Sequence, residues 1–265
     1  MAQLDPAELR EAYDAQLRTF VPARLPEGVR VEPDGPLLRF TGFENGGFVG
    51  YRDLDGLEGA ALDELIARQV RIFSERGEAF EWKVHAHDHP PDLPERLRAQ
   101  GFVAEESETV VIAPVAAIAA PPTLPDDVAL REVKERRDFD RIQTMEQEVW
   151  SDDHSWMAAS LEAEHAADPD ALTVVVAEAA DTVVCAAWVR FVAGTDFATL
   201  WGGATLPAWR GRGIYRALVA YRANLAADRG FRYLEVDASD DSRPILERLG
   251  FVPVTTTTPF IWSPS

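Results

Sequence analysis

The sequence predicts an α+β fold: a mixed sheet with helices on its faces, built in two related halves. Three observations carry that prediction. Strand-like and helix-like runs interleave along all 265 residues, and such an order packs as a sheet covered by helices. Three strand-like runs, "LTVVVAEAA", "TVVCAAWVRFVA" and "FATLWGGATL", follow so closely that they should form an antiparallel meander. Two blocks also recur in the same order. "SERGEAFEWKV" (74–84) echoes "AADRGFRYLEV" (226–236), and "DLPERLRAQGFV" echoes "SRPILERLGFV", each with a cap residue, Pro two positions later and Gly-Phe at the end.

Taken in order, the elements have local causes. Asp5 can cap a first helix, Pro6 suits its first position, and Glu8 completes a capping-box spacing. Leu9, Tyr13, Leu17 and Phe20 then share one face. Asp34-Gly35 and Asn45-Gly46 punctuate β-prone runs and predict hairpin turns. A helix is expected over about 60–75, stopped by Gly77, then the strand "AFEWKVHA", the short helix "DLPERLRAQ" and a single strand "FVAEESETVVI". "APVAAIAAPPTLPDD" (113–127) lacks periodicity and reads as a linker. Residues 1–118 and 126–265 are therefore expected to be separate units.

The second unit should run strand (128–133), helix (139–150), helix (about 156–167), the meander, and a helix over 213–228 ending at Gly230. Ile214, Leu218, Tyr221 and Leu225 form that helix's apolar stripe. The strand "YLEVDA", a helix "RPILERL" capped by Ser242, and "FVPVTTTTPFIW" complete it.

Bulk properties narrow the function. Lys and Arg number 26 against 45 Asp and Glu, a net charge of −19. Phosphate-rich partners need clustered positive charge, so a general nucleic-acid role is not expected. The single cysteine, Cys185, lies in an apolar strand-like run and excludes an internal disulfide or a cysteine-rich metal site. No run is long and apolar enough to span a bilayer, and the N-terminus lacks a signal pattern. The expectation is a cytoplasmic protein, not bound to membranes, with a homodimer left open. His85, His87 and His89 would share a strand face, but Pro90 and Pro91 end the strand and no cysteine or carboxylate cluster points there, so no metal is expected.

Against this acidic background "PAWRGRGIYRALVAY" (207–221) puts arginines among glycines where a helix begins. A helix start offers unpaired N–H groups and the positive end of the dipole. Gly211 and Gly213 let backbone approach an anion, and Arg210 and Arg212 add charge. The loop lacks the Gly-Lys-Ser/Thr ending of a P-loop, and it follows a meander rather than opening a βαβ unit. In the first half "LEGAAL" (57–62) occupies the matching place, with Glu58 and no arginine, so no anion is expected there.

The order "ATLPAWRGRGIYRALV", "YLEV", "ILERLGF" resembles the GNAT superfamily of acyl-CoA-dependent N-acyltransferases over essentially 128–262. The superfamily's Arg/Gln-x-x-Gly-x-Gly/Ala signature is matched by Arg210 and Gly213, with Tyr215 in place of the final small residue. By the same resemblance the first half is a second, degenerate unit, giving two tandem units, each a mixed, mostly antiparallel sheet flanked by helices. The resemblance implies acetyl-CoA as co-substrate, held by Ala204, Thr205 and Leu206 backbone along the pantetheine arm and by Arg210, Gly211, Arg212, Gly213, Ile214, Tyr215 and Arg216 around the diphosphate. Gly202 and Gly203 are compatible with a bulge there.

The implied reaction is acetyl transfer to a primary amine, of a small molecule or a peptide, by direct attack. Glu235 stands where some members carry a general base, with Asp237 on the same strand face; an ordinary carboxylate at a strand end is the other reading. Leu246 replaces the Tyr that many members use to protonate the leaving thiolate, which keeps a non-catalytic acyl-CoA-binding or regulatory module as the alternative. Candidates for the acceptor pocket are Trp150, His154 and Trp201, with Trp156, Trp188, Glu146, Asp152 and Asp153 nearby in the pattern. Core positions account for most of these tryptophans.

Overall fold

The first helix, α1 (Pro6–Gln16), starts as its spacing predicts: the Ala7 N–H donates to the Asp5 carboxylate at 2.9 Å, and Leu9 and Tyr13 are buried. It opens a computed structural model that describes residues 5–150 and 153–264. β1 (Arg30–Asp34), β2 (Leu37–Thr41) and β3 (Gly47–Gly50) form an antiparallel run through the two expected turns, with Gly35 and Gly46 at φ 61° and 95°. α2 (Gly59–Arg76) ends on a left-handed Gly77, where an L side chain would be strained. β4 (Phe80–His85) returns parallel to β3, and α3 (Leu93–Ala99) follows.

The expected single strand after α3 is two. β5 (Val103–Ala104) and β6 (Glu108–Pro114) are separated opposite Pro259, which has no N–H to continue a ladder. The linker reading of 113–127 also needs correction at its start. Ala113 and Pro114 belong to β6, and α4 (Val115–Ile118) buries Val115 and Ile118.

The rest runs β7 (Ala129–Val133), α5 (Arg136–Trp150), α6 (Met157–Ala167), β8 (Leu172–Ala179), β9 (Thr182–Phe191), β10 (Phe197–Thr205), α7 (Ile214–Asp228), β11 (Tyr233–Ala238), α8 (Arg243–Leu249) and β12 (Val252–Trp262). The meander β8–β9–β10 is antiparallel as expected. Ser242 makes no cap bond; its hydroxyl lies 3.2 Å from that of Ser239.

All strands join one sheet in the order β1-β2-β3-β4-β12-β6-β11-β10-β9-β8-β7, with β5 beside β12. Only β3–β4 and β10–β11 are parallel. The last strand of each half is exchanged: β6 lies against β11, β12 lies against β4, and the two pair with each other at the centre. α1 seals that centre, because Leu9 and Tyr13 share a core with Val110, Ile112, Phe197 and Val254. The fold is α+β, a mostly antiparallel sheet flanked by helices.

Candidate active site

The site follows from how β10 and β11 part. They pair only over Phe197–Thr199 against Tyr233–Glu235 and then diverge, while β10 keeps β9 as its partner to Thr205. The β9–β10 ladder slips between Gly202 and Ala204, the bulge that the glycines predicted. Gly202 (φ 67°) and Gly203 (φ 95°) are demanded twice over. A Cβ on Gly202 would lie 2.6 Å from the Trp188 ring, and one on Gly203 would lie 2.6 Å from the Tyr215 ring. Tyr215 therefore fits at the helix start because a glycine faces it.

Beneath the bulge lies a residue that sequence reasoning missed. Arg222 of α7 is 1% exposed and donates to the carbonyls of Leu218 at 3.1 Å and of Trp188 and Trp201 at 3.0 Å each. Burial lowers its pKa to about 10, so it stays charged at neutral pH, and no carboxylate pairs with it among the described residues. The buried face of α7 differs from the expected stripe: Ile214 and Leu218 are buried with Ala217, Val219, Arg222, Ala223 and Ala226, whereas Tyr221 and Leu225 are half-buried and the Tyr221 hydroxyl donates to Glu132 at 2.8 Å.

The parted strands open a cleft of about 1110 Å³ that runs from the bulge to the start of α7. Of the residues assigned to the co-substrate, Ala204, Thr205, Arg210, Gly211, Gly213, Ile214, Tyr215 and Arg216 line it. Leu206 does not: it is buried and its N–H already donates to Val184 at 3.0 Å. Nor does Arg212, which stacks on Trp209 and donates to Asp127 at 2.7 Å. Gly211 and Gly213 have φ 74° and 85°, and a Cβ on either would meet nothing within 4 Å, so backbone conformation explains them. The first-turn N–H groups of Ile214, Tyr215 and Arg216 have no intrahelical acceptor by position, and they carry the helix's positive end.

The floor of the cleft is acidic. Glu235 is 5% exposed; burial first, then Asp237, drives its pKa well above the usual carboxylate range. Asp237 lines the cleft, and against the pull of burial Lys83 holds it ionised, with Nζ 2.7 Å from Oδ2. Glu108 lines it too, pushed up to about 7 by burial and then by Asp237. Lys83 and Glu108 come from the first half, and no sequence signal marked them.

At the mouth, Trp150 and Trp201 line the cleft and are 48% and 41% exposed. The Trp201 indole N–H donates to Thr199 at 2.7 Å, and Arg190 covers its ring at 4.5 Å. Trp150 donates to Glu146 at 2.8 Å; burial raises Glu146 to about 7, and its other oxygen is unpartnered. His154 is not among the lining residues, and its ring lies 6.3 Å from that of Trp156. Trp188 is core, Asp153 accepts from the Ser155 N–H at 2.9 Å, and Asp152 lies outside the described residues. Leu246 is fully buried in the core, so no phenol stands there. Ser239 and Ser242 line the cleft nearby.

Two of the three histidines of the first half serve internal bonds, and His89 is exposed. His85 meets the Tyr13 hydroxyl at 3.1 Å, and His87 meets Asp14 and Thr255 at 2.9 Å each. No group of three potential metal ligands occurs among the described residues. No helix among them is long and apolar enough to cross a membrane.

Residues 136–251 match the family model described as the acetyltransferase (GNAT) family. A GCN5-related N-acetyltransferase from Kribbella flavida has a similar fold at 15% identity, TM-score 0.66, covering 100% of this chain and 97% of that chain. A tandem GNAT protein from the clavulanic acid biosynthesis pathway is similar at 14% identity and TM-score 0.61, covering 91% and 86%. A functionally unknown conserved protein of Staphylococcus epidermidis ATCC 12228 is similar at 14% identity and TM-score 0.66, covering 91% and 96%. No curated protein matches the sequence.

Proposed function

Starting from residues 136–251 as an acetyltransferase domain of the GNAT family, we propose that the chain moves an acetyl group from acetyl-CoA to a primary amine by direct attack. One observation carries the reading: the gap between β10 and β11 is open, and it leads from a glycine bulge to the positive start of α7. Backbone of Ala204 and Thr205 pairs with the pantetheine arm. The N–H groups of Ile214 to Arg216, with Arg210 and Arg216, hold the diphosphate. Arg212 acts at the rim, where it exchanges Asp127 for phosphate, and Leu206 supports the strand end.

An N–H at the bulge, backed by the Arg222 charge, stabilises negative charge growing on the thioester oxygen. Trp150 and Trp201 receive the acceptor, a small-molecule or peptide amine, with His154 near the entrance. Glu235 is read, with Asp237, as part of a carboxyl cluster that takes the amine proton. Residues 1–118 and 126–265 are read as tandem units, the first shaping the acceptor side. Calorimetry with acetyl-CoA and release of free thiol across a panel of amines test the proposal; no heat and no thiol would end it.

The buried Leu246 favours a second reading, a binding or regulatory module without turnover. Heat on adding acetyl-CoA with no thiol released by any amine selects that module. A thiol leaving as thiolate at neutral pH costs only about 2 kcal/mol, so the missing phenol is compatible with turnover.

A further inference from the structure

The exchanged strands place residues of the first half inside the second half's cleft. β6 pairs with β11 up to Thr109 against Ala238, so Glu108 stands one residue beyond the last rung, where the cleft opens. On its other side it pairs with Thr257 of β12. Its side chain is 33% exposed, toward a cleft whose far wall is the bulge. The charged groups around it are Lys83 and Glu81 of β4, Asp237 and Glu235 of β11, and Glu105 before β6. Arg243 of α8 reaches the neighbouring Thr109 at 3.4 Å.

The other two carboxyl groups are poorly suited to accept a proton. Asp237 is tied to Lys83 at 2.7 Å, and Glu235 is 5% exposed and lies off the lining. Glu108 is 3.9 Å from Lys83, close enough for the ammonium to limit its desolvation without occupying it. We propose that Glu108, delivered by the exchanged strand and flanked by Lys83, takes the proton from the acceptor amine, so that the first half completes the active site of the second. This rests on the acetyl-transfer reading above.

The step balances. The amine arrives as an ammonium ion and gives one proton to the Glu108 carboxylate. The freed lone pair attacks the thioester carbon; the C–N bond forms, the C–S bond breaks, and its electron pair leaves on sulfur. The second proton lost from nitrogen neutralises the thiolate, and Glu108 passes its proton to water. Ammonium and acetyl-CoA thus become an acetamide, a free thiol and one proton.

The test is Glu108→Gln in the full chain, with Glu108→Asp beside it and thermal melts to show that both fold. Glu108→Gln should lower turnover about 100-fold at neutral pH, the range expected for losing a general base. Its acetyl-CoA affinity by calorimetry should stay within about twofold, because the change leaves the diphosphate cradle intact. The acidic limb of the wild-type rate profile, set near the Glu108 value of about 7, should vanish in Glu108→Gln and partly return in Glu108→Asp. In the ligand-free protein, carboxyl carbon NMR should lose one titration near 7 in Glu108→Gln while that of Glu146 remains. Near-wild-type turnover with the limb in place would overturn the inference and spare acetyl transfer. A wild-type protein that acetylates no amine would remove both.

Discussion

The molecule contains the same parting of strands twice, and the two are filled differently: the first half keeps a smaller cleft of about 510 Å³, lined among others by Arg18, Leu57, Glu58 and Asp88. In the first half β3 and β4 pair in parallel over Gly47–Val49 against Phe80–Trp82 and then diverge, as β10 and β11 do over three residue pairs. There the next aromatic, Tyr51, turns into the gap. Its hydroxyl donates to the Lys83 carbonyl at 3.1 Å and to Asp88, while Arg18 covers its ring at 4.9 Å and donates to Asp88 at 2.7 Å. Trp201 likewise lies two residues past its last parallel rung, but on the sheet face away from α7, and it stays at the mouth, 41% exposed. The backbone geometry is shared. What fills the space beyond the rungs differs, and in the first half a buried ion pair with a phenol fills it.

That contrast can be broken from either side. The largest effect should come from Asp88→Ala, which leaves the buried Arg18 charge with Asp14 at 3.5 Å as its remaining carboxylate and removes two further bonds. Breaking such a pair costs about 3–5 kcal/mol, readable by urea unfolding. Acetyl-CoA affinity of the remaining folded protein should hold within about twofold.

The two halves should next differ in pH response. Asp88 is held well below the usual carboxylate range: burial opposes this, but His85 and Arg18 outweigh it. Its stabilising contribution is therefore present above the unfolded carboxylate value and is lost as pH falls toward its folded one. Glu146 behaves in the opposite sense, because its folded value is raised from 4.5 to about 7. The native state then binds the proton more tightly, and stability falls as pH rises across that window. The fall is at most about 3 kcal/mol. Glu146→Gln should flatten that slope in melts taken from pH 5 to pH 8.

Closing the open gap comes third. Gly203→Val combines a strained φ with a clash against Tyr215 and should weaken acetyl-CoA binding about 100-fold by calorimetry. Arg210→Glu should cost about tenfold, more at low salt, and Arg212→Glu less, since Arg212 already pairs with Asp127. The smallest effect belongs to Glu58→Arg. It imitates the cradle in the first half, but Tyr51 still occupies the gap, so acetyl-CoA affinity should move less than about twofold, within what one exposed charge contributes.

Much of this contrast was legible beforehand at the level of backbone. The αL glycines Gly77 and Gly230, the turns at Gly35 and Gly46 and the bulge at Gly202 and Gly203 all follow from residues with no Cβ. The absence of arginine from 57–62 is the ground for expecting no anion there. The plug was not legible, because Arg18, Tyr51 and Asp88 are far apart in sequence and each reads as an ordinary surface residue. Arg222 was hidden for the same reason: one arginine on an amphipathic helix looks solvated until two carbonyls are found beneath it. Glu108 sat in the acidic run "EESE", which reads as a polar face.

The sequence alone determined the order of most elements, the glycine turns and the cationic helix start, since each depends on interactions within a few residues. Tertiary structure alone decided which strand lies beside which, and so the exchange of β6 and β12, the carboxyl cluster on the cleft floor and the meeting of Arg18, Tyr51 and Asp88. A strand's own residues specify that it will pair and which face it buries. The choice among distant partners is made by the energy of the whole sheet.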